Sequence, residues 1–230
     1  MTTLTVIIPV YNEEDTLKES YNRLIEIDDI VTRIIIVDDY SSDSSPQIIN
    51  DIKNQNTKVT VLQNPKNLGK GAALMKAQEF ITTDFVVIHD ADLEYFPNDL
   101  RNMYELITAK DVDLVIGSRF LKDNKNIIYY RTYYANKFLS KVFSLIYREH
   151  VTDIATCYKM MSSSYFKNIQ LFEKGFSIEV ELLAKYFNKS NKFLESSINY
   201  SARTYEEGKK IKISDGFKYL WSMLKYKNFI

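Results

Sequence analysis

The sequence predicts an α/β domain of three layers built around a mainly parallel sheet. Three observations carry this. Short runs of aliphatic and β-branched residues recur at 4–11, 33–39, 58–63, 85–89 and 112–117. Segments with helical spacing separate them, the alternation expected of β-α-β units. Polar residues gather just past the runs: Tyr11 and Glu13, Asp38 and Asp39, Asp90 and Asp92, and Arg119. Ligands of open α/β sheets bind at that edge.

Each element has its own signal. The run 4–11 (LTVIIPVY) is apolar enough to be buried on both faces. Asn12 is placed as a helix N-cap, with Glu13, Glu14 and Asp15 in the first turn. Leu17, Tyr21, Leu24 and Ile25 mark one face of that helix. The second strand, 33–39 (RIIIVDD), ends in two carboxylates. Ser44-Ser45-Pro46 starts the next helix, with proline in the first turn. A third strand covers 58–63, and Asn67-Leu68-Gly69-Lys70-Gly71 opens a helix through 72–80. Strand four, 85–89 (FVVIH), runs straight into Asp90-Ala91-Asp92-Leu93-Glu94. Pro97 begins another helix, and 112–117 is the fifth strand.

The half after Arg119 has a different texture. The stretch 127–147 (IIYYRTYYANKFLSKVFSLIY) is crowded with aromatic and aliphatic residues, interrupted by Arg131, Lys137 and Lys141. Phe138, Leu139, Val142, Phe143 and Ile146 have helical spacing. Two readings stay open: a core helix, or an amphipathic helix lying on a membrane surface or lining a lipid groove. A helix follows at 178–187, where Glu179 and Glu181 read as surface residues. A late strand is expected at 192–200, and a polar glycine-containing loop at 202–212. A final amphipathic helix spans 215–227, with Trp221 on its apolar side. No internal repeat or linker interrupts the chain, so 1–230 reads as one domain.

Bulk composition excludes several classes. Thirty basic and thirty acidic residues cancel, which argues against a nucleic-acid binder. A single cysteine, Cys157, excludes an internal disulfide and fits a reducing compartment. Two histidines do not make a histidine-built metal site. No secretory leader is visible, and no apolar run approaches the roughly 20 residues that span a bilayer. A cytoplasmic protein, at most peripheral on a membrane, is expected.

Asp90, Asp92 and Glu94 repeat at every second position, so an extended backbone lets them converge. Mg²⁺ and Mn²⁺ favour such oxygen ligands together with substrate phosphates. An isolated Asp-x-Asp is also turn and cap chemistry; the buried strand before it and Arg119 at another strand end favour the metal reading. Asp38 and Asp39 face opposite ways, so only one of them can enter the cleft, where a carboxylate suits the N–H edge of guanine or uracil; a turn-prone Ser/Asp-rich loop over 39–45 is the other reading, and the spacing does not choose between them. The Gly69-Lys70-Gly71 turn invites a phosphate but is not a Walker loop. Close packing of its helix on the sheet explains the glycines nearly as well. Arg119, Arg131, Arg203 and Lys209 are candidates to bind anionic oxygens.

Taken together, the motifs resemble a family. Ile8-Pro9-Val10-Tyr11-Asn12-Glu13-Glu14, Val37-Asp38-Asp39, Asn67-Leu68-Gly69-Lys70-Gly71, Asp90-Ala91-Asp92 and Gly117-Ser118-Arg119-Phe120 stand in the order seen in family 2 glycosyltransferases. The stretches 152–159 (TDIATCYK) and 203–211 (RTYEEGKKI) narrow the resemblance to the polyprenyl-phosphate glycosyltransferase branch, typified by dolichol-phosphate mannose synthase. The resemblance implies a GT-A (Rossmann-like) fold with added C-terminal interface helices. In it 1–120 would bind the nucleotide sugar, and 121–230 the acceptor and a membrane interface. It also implies inverting transfer of a hexose, mannose ahead of glucose, from GDP-mannose or UDP-glucose to a polyprenyl phosphate, with Mg²⁺ or Mn²⁺ as cofactor. Pro9, Tyr11, Glu13, Val37 and Asp39 would hold the nucleoside. Asp90, Ala91 and Asp92 would meet the diphosphate, with Asp90, Asp92 and Glu94 around the metal. Arg119, Arg131, Arg203 and Lys209 would contact donor or acceptor phosphates. Many relatives carry glycine at Tyr40 and glutamine at Glu94.

The chemistry implied needs no strong protein base, because a phosphate monoester is already ionised near neutral pH. Asp92 would help to hold the leaving group's charge, Arg119, Arg131 and Arg203 would align the attacking oxygen, and 202–212 would act as a lid. The protein would act at the cytoplasmic face of a membrane, alone, as a homo-oligomer or with a membrane-protein partner. Two alternatives are a transferase of the same fold with a non-lipid glycan acceptor, and a nucleotide-sugar-binding module without turnover.

Overall fold

The computed structural model describes residues 2–121, 130–190, 192–203 and 213–227. Among them, seven strands form one sheet in the order β3-β2-β1-β4-β6-β5-β7. The strands are β1 (Leu4–Val10), β2 (Arg33–Asp38), β3 (Val59–Gln63), β4 (Phe85–Ile88), β5 (Leu114–Ser118), β6 (Lys159–Ser162) and β7 (Phe193–Ser197). All neighbours pair in parallel except β6, which runs antiparallel to β4 and to β5. The helices are α1 (Leu17–Ile25), α2 (Ser45–Gln55), α3 (Lys70–Gln78), α4 (Asp99–Ala109), α5 (Tyr130–Tyr147), α6 (Ser163–Asn168), α7 (Ile178–Phe187) and α8 (Ile213–Lys225). This is the mixed three-layer α/β architecture expected. Neither the antiparallel β6 nor α6 is anticipated from the sequence, because 159–168 has no periodicity of its own.

The near-continuous apolar runs are the sheet's interior. Ile7, Ile8, Ile34, Ile35, Ile36, Val87, Leu114 and Val115 are fully buried, the burden that helices on both faces impose on parallel strands. Register fixes the functional edge. Val10 lies opposite Asp38, so β1 and β2 end level, and Ile7 lies opposite Ile88, so β4 stops three residues short of them at the same edge. Because β6 is antiparallel, its first residue, Lys159, arrives at that same edge, opposite Ile116.

Four local expectations are corrected. Asn12 is not a cap: α1 starts at Leu17, and Asn12 sits at φ +51° with its side-chain oxygen accepting from Ser42 N–H. The acids after it build a turn on the Glu13 carbonyl rather than a first helical turn. Ile25 is 40% exposed, so the buried face of α1 is Leu17, Ser20, Tyr21 and Leu24. Glu179 and Glu181 are buried, not on the surface: α7 is buried on every side, and each carboxylate meets a buried lysine. Trp221 is 67% exposed, because α8 turns Tyr219, Ser222 and Met223 inward instead.

The glycines before α3 also have a different reason. A Cβ on Gly71 would stand 1.9 Å from the carbonyl oxygen of Glu173, and one on Gly69 2.5 Å from that of Lys174. The turn is pressed against the 173–175 backbone, not against the sheet, and Gly71 N–H donates to Lys174 C=O at 2.7 Å. Gly69 further needs φ +95°, which only glycine adopts freely. Tyr40, where many relatives carry glycine, sits at φ +68°.

The helix α5 is buried on one face and exposed on the other. Leu139, Ser140, Phe143 and Tyr147 are buried, while Tyr130, Tyr134, Phe138 and Leu145 are 60% exposed or more. Tyr147 donates to the Met223 carbonyl of α8 at 2.8 Å, which packs the two helices together. No helix among the described residues is long and apolar enough to cross a membrane.

Candidate active site

The strand ends open into a cleft of about 260 Å³. On one side it is lined by Pro9, Tyr11, Glu13, Asp39 and Asn67, and in the middle by Lys70, Asp90, Ala91, Asp92 and Glu94. Arg119 and Arg203 contribute from β5 and from the segment after β7. Tyr95, Cys157, Phe176, Glu179, Tyr200 and Tyr219 complete its far wall.

Asp90 leaves β4 with both oxygens against Lys70 Nζ, at 2.7 and 2.8 Å. Burial alone would depress the lysine, but the charge and hydrogen bond of Asp90 and the charge of Glu179, with the other groups around it, together outweigh burial and hold Lys70 well above its ordinary range. Lys70 also reaches Glu179 Oε1 at 2.8 Å, and Glu179 Oε2 meets the fully buried Lys159 at 2.5 Å. A chain of alternating charges thus runs from the strand edge into the core. Asp92 sits differently. Burial, then the charges of Asp90 and Glu94, push its carboxyl up to about 7 against the pull of Arg203.

Arg203 is the main cation facing these acids. Its Nη2 is 2.9 Å from Asp92 Oδ2, and its Nη1 is 3.4 Å from Glu13 Oε2. Glu94 fixes the segment that carries it, accepting from Tyr200 O–H at 2.7 Å and from Arg203 N–H at 3.0 Å. Arg119 lies in the wall, but its Nε and Nη2 donate to Asp153 at 2.7 and 2.8 Å. His89, next to Asp90, is held down to about 4 by burial and bonds Ser20 and Tyr158. It is a neutral core group.

The remaining predicted residues divide. Pro9, Tyr11, Glu13, Asp39, Asp90, Ala91, Asp92, Glu94, Arg119 and Arg203 come together in the cleft. Asp39 and Asp38 do part company as expected. Asp39 enters the cleft and accepts from Asn64, Leu68 N–H and Gly69 N–H, so it shapes the turn before α3. Asp38 accepts from Ser41 N–H and Gln63. Val37 is fully buried within β2 and is not among the lining residues. Arg131 is exposed on the first turn of α5 and is also absent from the lining. Lys209 and most of the 202–212 loop lie outside the described residues. Sequence reasoning missed Glu179, Asp153, Tyr95 and Tyr200. The signal for Glu179 was available: its helix carries apolar residues around most of its circumference, which leaves no wide polar face for the acids of its first turn.

As a metal site, the arrangement is half made. Among the described residues, no three Asp, Glu, His or Cys side chains converge as a ready cage. The donors are nonetheless hard oxygens, and the raised Asp92 carboxyl marks a place short of positive charge. For Asp90 to join, Lys70 must release one of its oxygens.

An acid-edged cleft at the strand ends of a seven-stranded mixed sheet defines a GT-A fold. Residues 5–170 match the model of the family described as Glycosyl transferase family 2, and the chain belongs to that family. A dolichol-phosphate mannosyltransferase of Pyrococcus furiosus is 27% identical over 226 residues, covering 94% of this chain and 61% of the relative. An undecaprenyl-phosphate 4-deoxy-4-formamido-L-arabinose transferase of Sodalis glossinidius is 28% identical over 214 residues, covering 90% and 62%. The chain therefore spans about three fifths of these relatives' length. Among solved structures, glucosyl-3-phosphoglycerate synthase of Mycobacterium tuberculosis with uridine diphosphate superposes with a TM-score of 0.76 at 17% identity. That match covers 100% of this chain and 81% of the other.

Proposed function

We propose that this chain transfers a hexose, mannose ahead of glucose, from a nucleoside-diphosphate sugar to a polyprenyl phosphate at the cytoplasmic face of a membrane, with inversion. One observation carries the lipid acceptor. The helix α8 lends Tyr219 to the cleft wall and turns Phe217, Trp221 and Leu224 outward, each more than 60% exposed. The α5 residues Tyr130, Tyr134 and Phe138 are exposed as well, with Lys137 and Lys141 among them. Apolar patches of this kind, with cations alongside, suit an anionic membrane surface. The two curated relatives above are named for lipid-phosphate acceptors.

In this reading Pro9, Tyr11, Glu13, Val37 and Asp39 form the nucleoside end, Val37 through its backbone. Asp90, Asp92 and Glu94 would hold Mg²⁺ or Mn²⁺, which would neutralise the leaving diphosphate. Ala91 lets that diphosphate approach the backbone. Arg203, with Arg119, Arg131 and Lys209, serves the phosphates of donor and acceptor. The acceptor is ionised already, so these residues align it and exclude water rather than remove a proton. Residues 1–120 serve the donor and 121–230 the acceptor and membrane.

A thermal-shift panel tests the donor half. GDP-mannose or UDP-glucose with Mg²⁺ or Mn²⁺ is expected to raise Tm, as any ligand of the native state does. No shift with any nucleotide sugar would overturn the reading. Transfer to a soluble glycan instead of a lipid would favour the non-lipid alternative. Donor binding without transfer or hydrolysis would favour the non-catalytic one.

A further inference from the structure

Arg203 stands among the acids assigned above to a divalent cation. Its guanidinium carries one positive charge and faces three carboxylates, Asp92 at 2.9 Å, Glu13 at 3.4 Å and Glu94 at 3.8 Å. The fit is incomplete. Arg203 Nε is buried and 3.8 Å from Glu94 Oε1, beyond hydrogen-bond reach, with no other partner among the described residues. A single charge is shared among three acids, and one of the donors of the fork finds no acceptor.

The chain holds Arg203 in a way that lets its side chain leave. Ile198 N–H donates to Ser118 C=O, Asn199 is fixed by Asp99, and Ser201 N–H donates to Glu94 C=O. The segment after β7 is therefore anchored through Ser201. Beyond it, Arg203 is held by its own N–H on Glu94 and by the contacts of its guanidinium. A hard divalent ion brings twice the charge and favours the same carboxylate oxygens. The two cations repel each other and compete for Asp92 and Glu94.

Resting on the metal site proposed above, we infer that Arg203 is a built-in counter-ion that opposes the binding of metal alone and yields its carboxylates when metal and nucleotide arrive together. A diphosphate favours the exchange because it brings anionic oxygens for both the metal and the released guanidinium. Metal alone must displace Arg203 with no other anion for it to bind. Arg203 thus couples metal loading to the donor, and its two roles have opposite signs. Losing it weakens transfer but strengthens the binding of metal alone.

Calorimetry with Mn²⁺ on the whole chain reads that sign. Without nucleotide, Arg203→Gln is expected to bind Mn²⁺ at least tenfold more tightly than wild type. GDP or UDP should then raise Mn²⁺ affinity less in the variant than in wild type. Equal or weaker binding of Mn²⁺ alone by the variant, or an equal gain from nucleotide in the two proteins, would overturn the inference. A merely structural arginine leaves a looser site when it is removed, and so a weaker one. The wild-type protein supplies an arm that needs no variant. By NMR of isotope-labelled protein, saturating Mg²⁺ alone is expected to speed solvent exchange of the buried Arg203 Nε–H at least tenfold. Unchanged or slower exchange would overturn the inference. Failure of both metals to bind wild type, with or without GDP or UDP, would overturn the metal assignment beneath it as well.

Discussion

Arg203 Nη2 lies 2.9 Å from Asp92 Oδ2, a contact between residues 111 positions apart that closes the cleft from the C-terminal side. The same guanidinium faces Glu13 at 3.4 Å and Glu94 at 3.8 Å. A planar fork offers five donors in fixed directions to carboxylates on different sides, whereas a lysine ammonium is a compact point charge on a shorter reach. Arg203→Lys is therefore expected to lower kcat/KM for transfer by roughly ten- to a hundredfold, and Arg203→Ala by more. Steady-state kinetics with the preferred donor checks this. Wild-type kcat/KM in Arg203→Lys would contradict it.

Asp92 gives the site a pH signature. Its carboxyl is pushed up to about 7 by burial and by Asp90 and Glu94, whereas an unfolded aspartate titrates near 4. Between those values the folded state holds a proton that the unfolded state lacks. Stability from this group is thus greatest below about 4 and declines as pH rises through about 7. Asp92→Asn removes the penalty, so the variant should gain on wild type between pH 5 and pH 8 by on the order of 1–2 kcal/mol. That is a relative Tm gain of roughly 2–8 °C. A Tm difference independent of pH would contradict it. Transfer should meanwhile decline in wild type as pH falls below about 7, when Asp92 becomes neutral.

Asp153 supports the site from behind. It is fully buried and takes two hydrogen bonds from the Arg119 side chain and a third from its backbone N–H. Removing one partner of a buried pair strands the other charge, at a cost of about 3–5 kcal/mol. Asp153→Ala should unfold correspondingly earlier in urea, and Arg119→Met/Asp153→Leu should recover part of the loss. A double variant as unstable as the single would contradict the ion-pair account.

The outward residues of α5 and α8 predict surface binding without a stability role. Phe138→Ser, Trp221→Ser and Leu224→Ser change exposed positions, so stability should move by no more than about 0.5 kcal/mol each. The triple variant should lose flotation with anionic liposomes that the wild type shows. Equal flotation of the two would leave these residues without a membrane role.

The sheet was readable in the sequence because parallel strands must be apolar on both faces, and 33–39 and 85–89 can hardly be anything else. The cleft was readable for the same reason: carboxylates and arginines at the ends of such runs have one edge to occupy. What could not be read was the pairing of charges across the chain. Lys70 with Glu179 and Arg119 with Asp153 are contacts of tertiary packing. Glu179 looked like a surface acid because nothing local shows that Lys159 neutralises it, and Glu181 because its pair with Lys185 one turn on does not show that both are buried. In α8, two apolar stripes alternate on one helix, and the sequence alone does not say which one the core takes. Trp221 is on the other.

The central claim is tested most directly by incubating the protein with radiolabelled GDP-mannose or UDP-glucose, a polyprenyl phosphate and Mg²⁺ or Mn²⁺, then extracting into organic solvent. Label is expected in the organic phase from one of the two donors, dependent on the acceptor lipid, reduced by chelation of the metal and lost in Asp92→Asn. Label that stays in the aqueous phase with both donors, as intact donor, free sugar or a soluble glycan, would contradict the account.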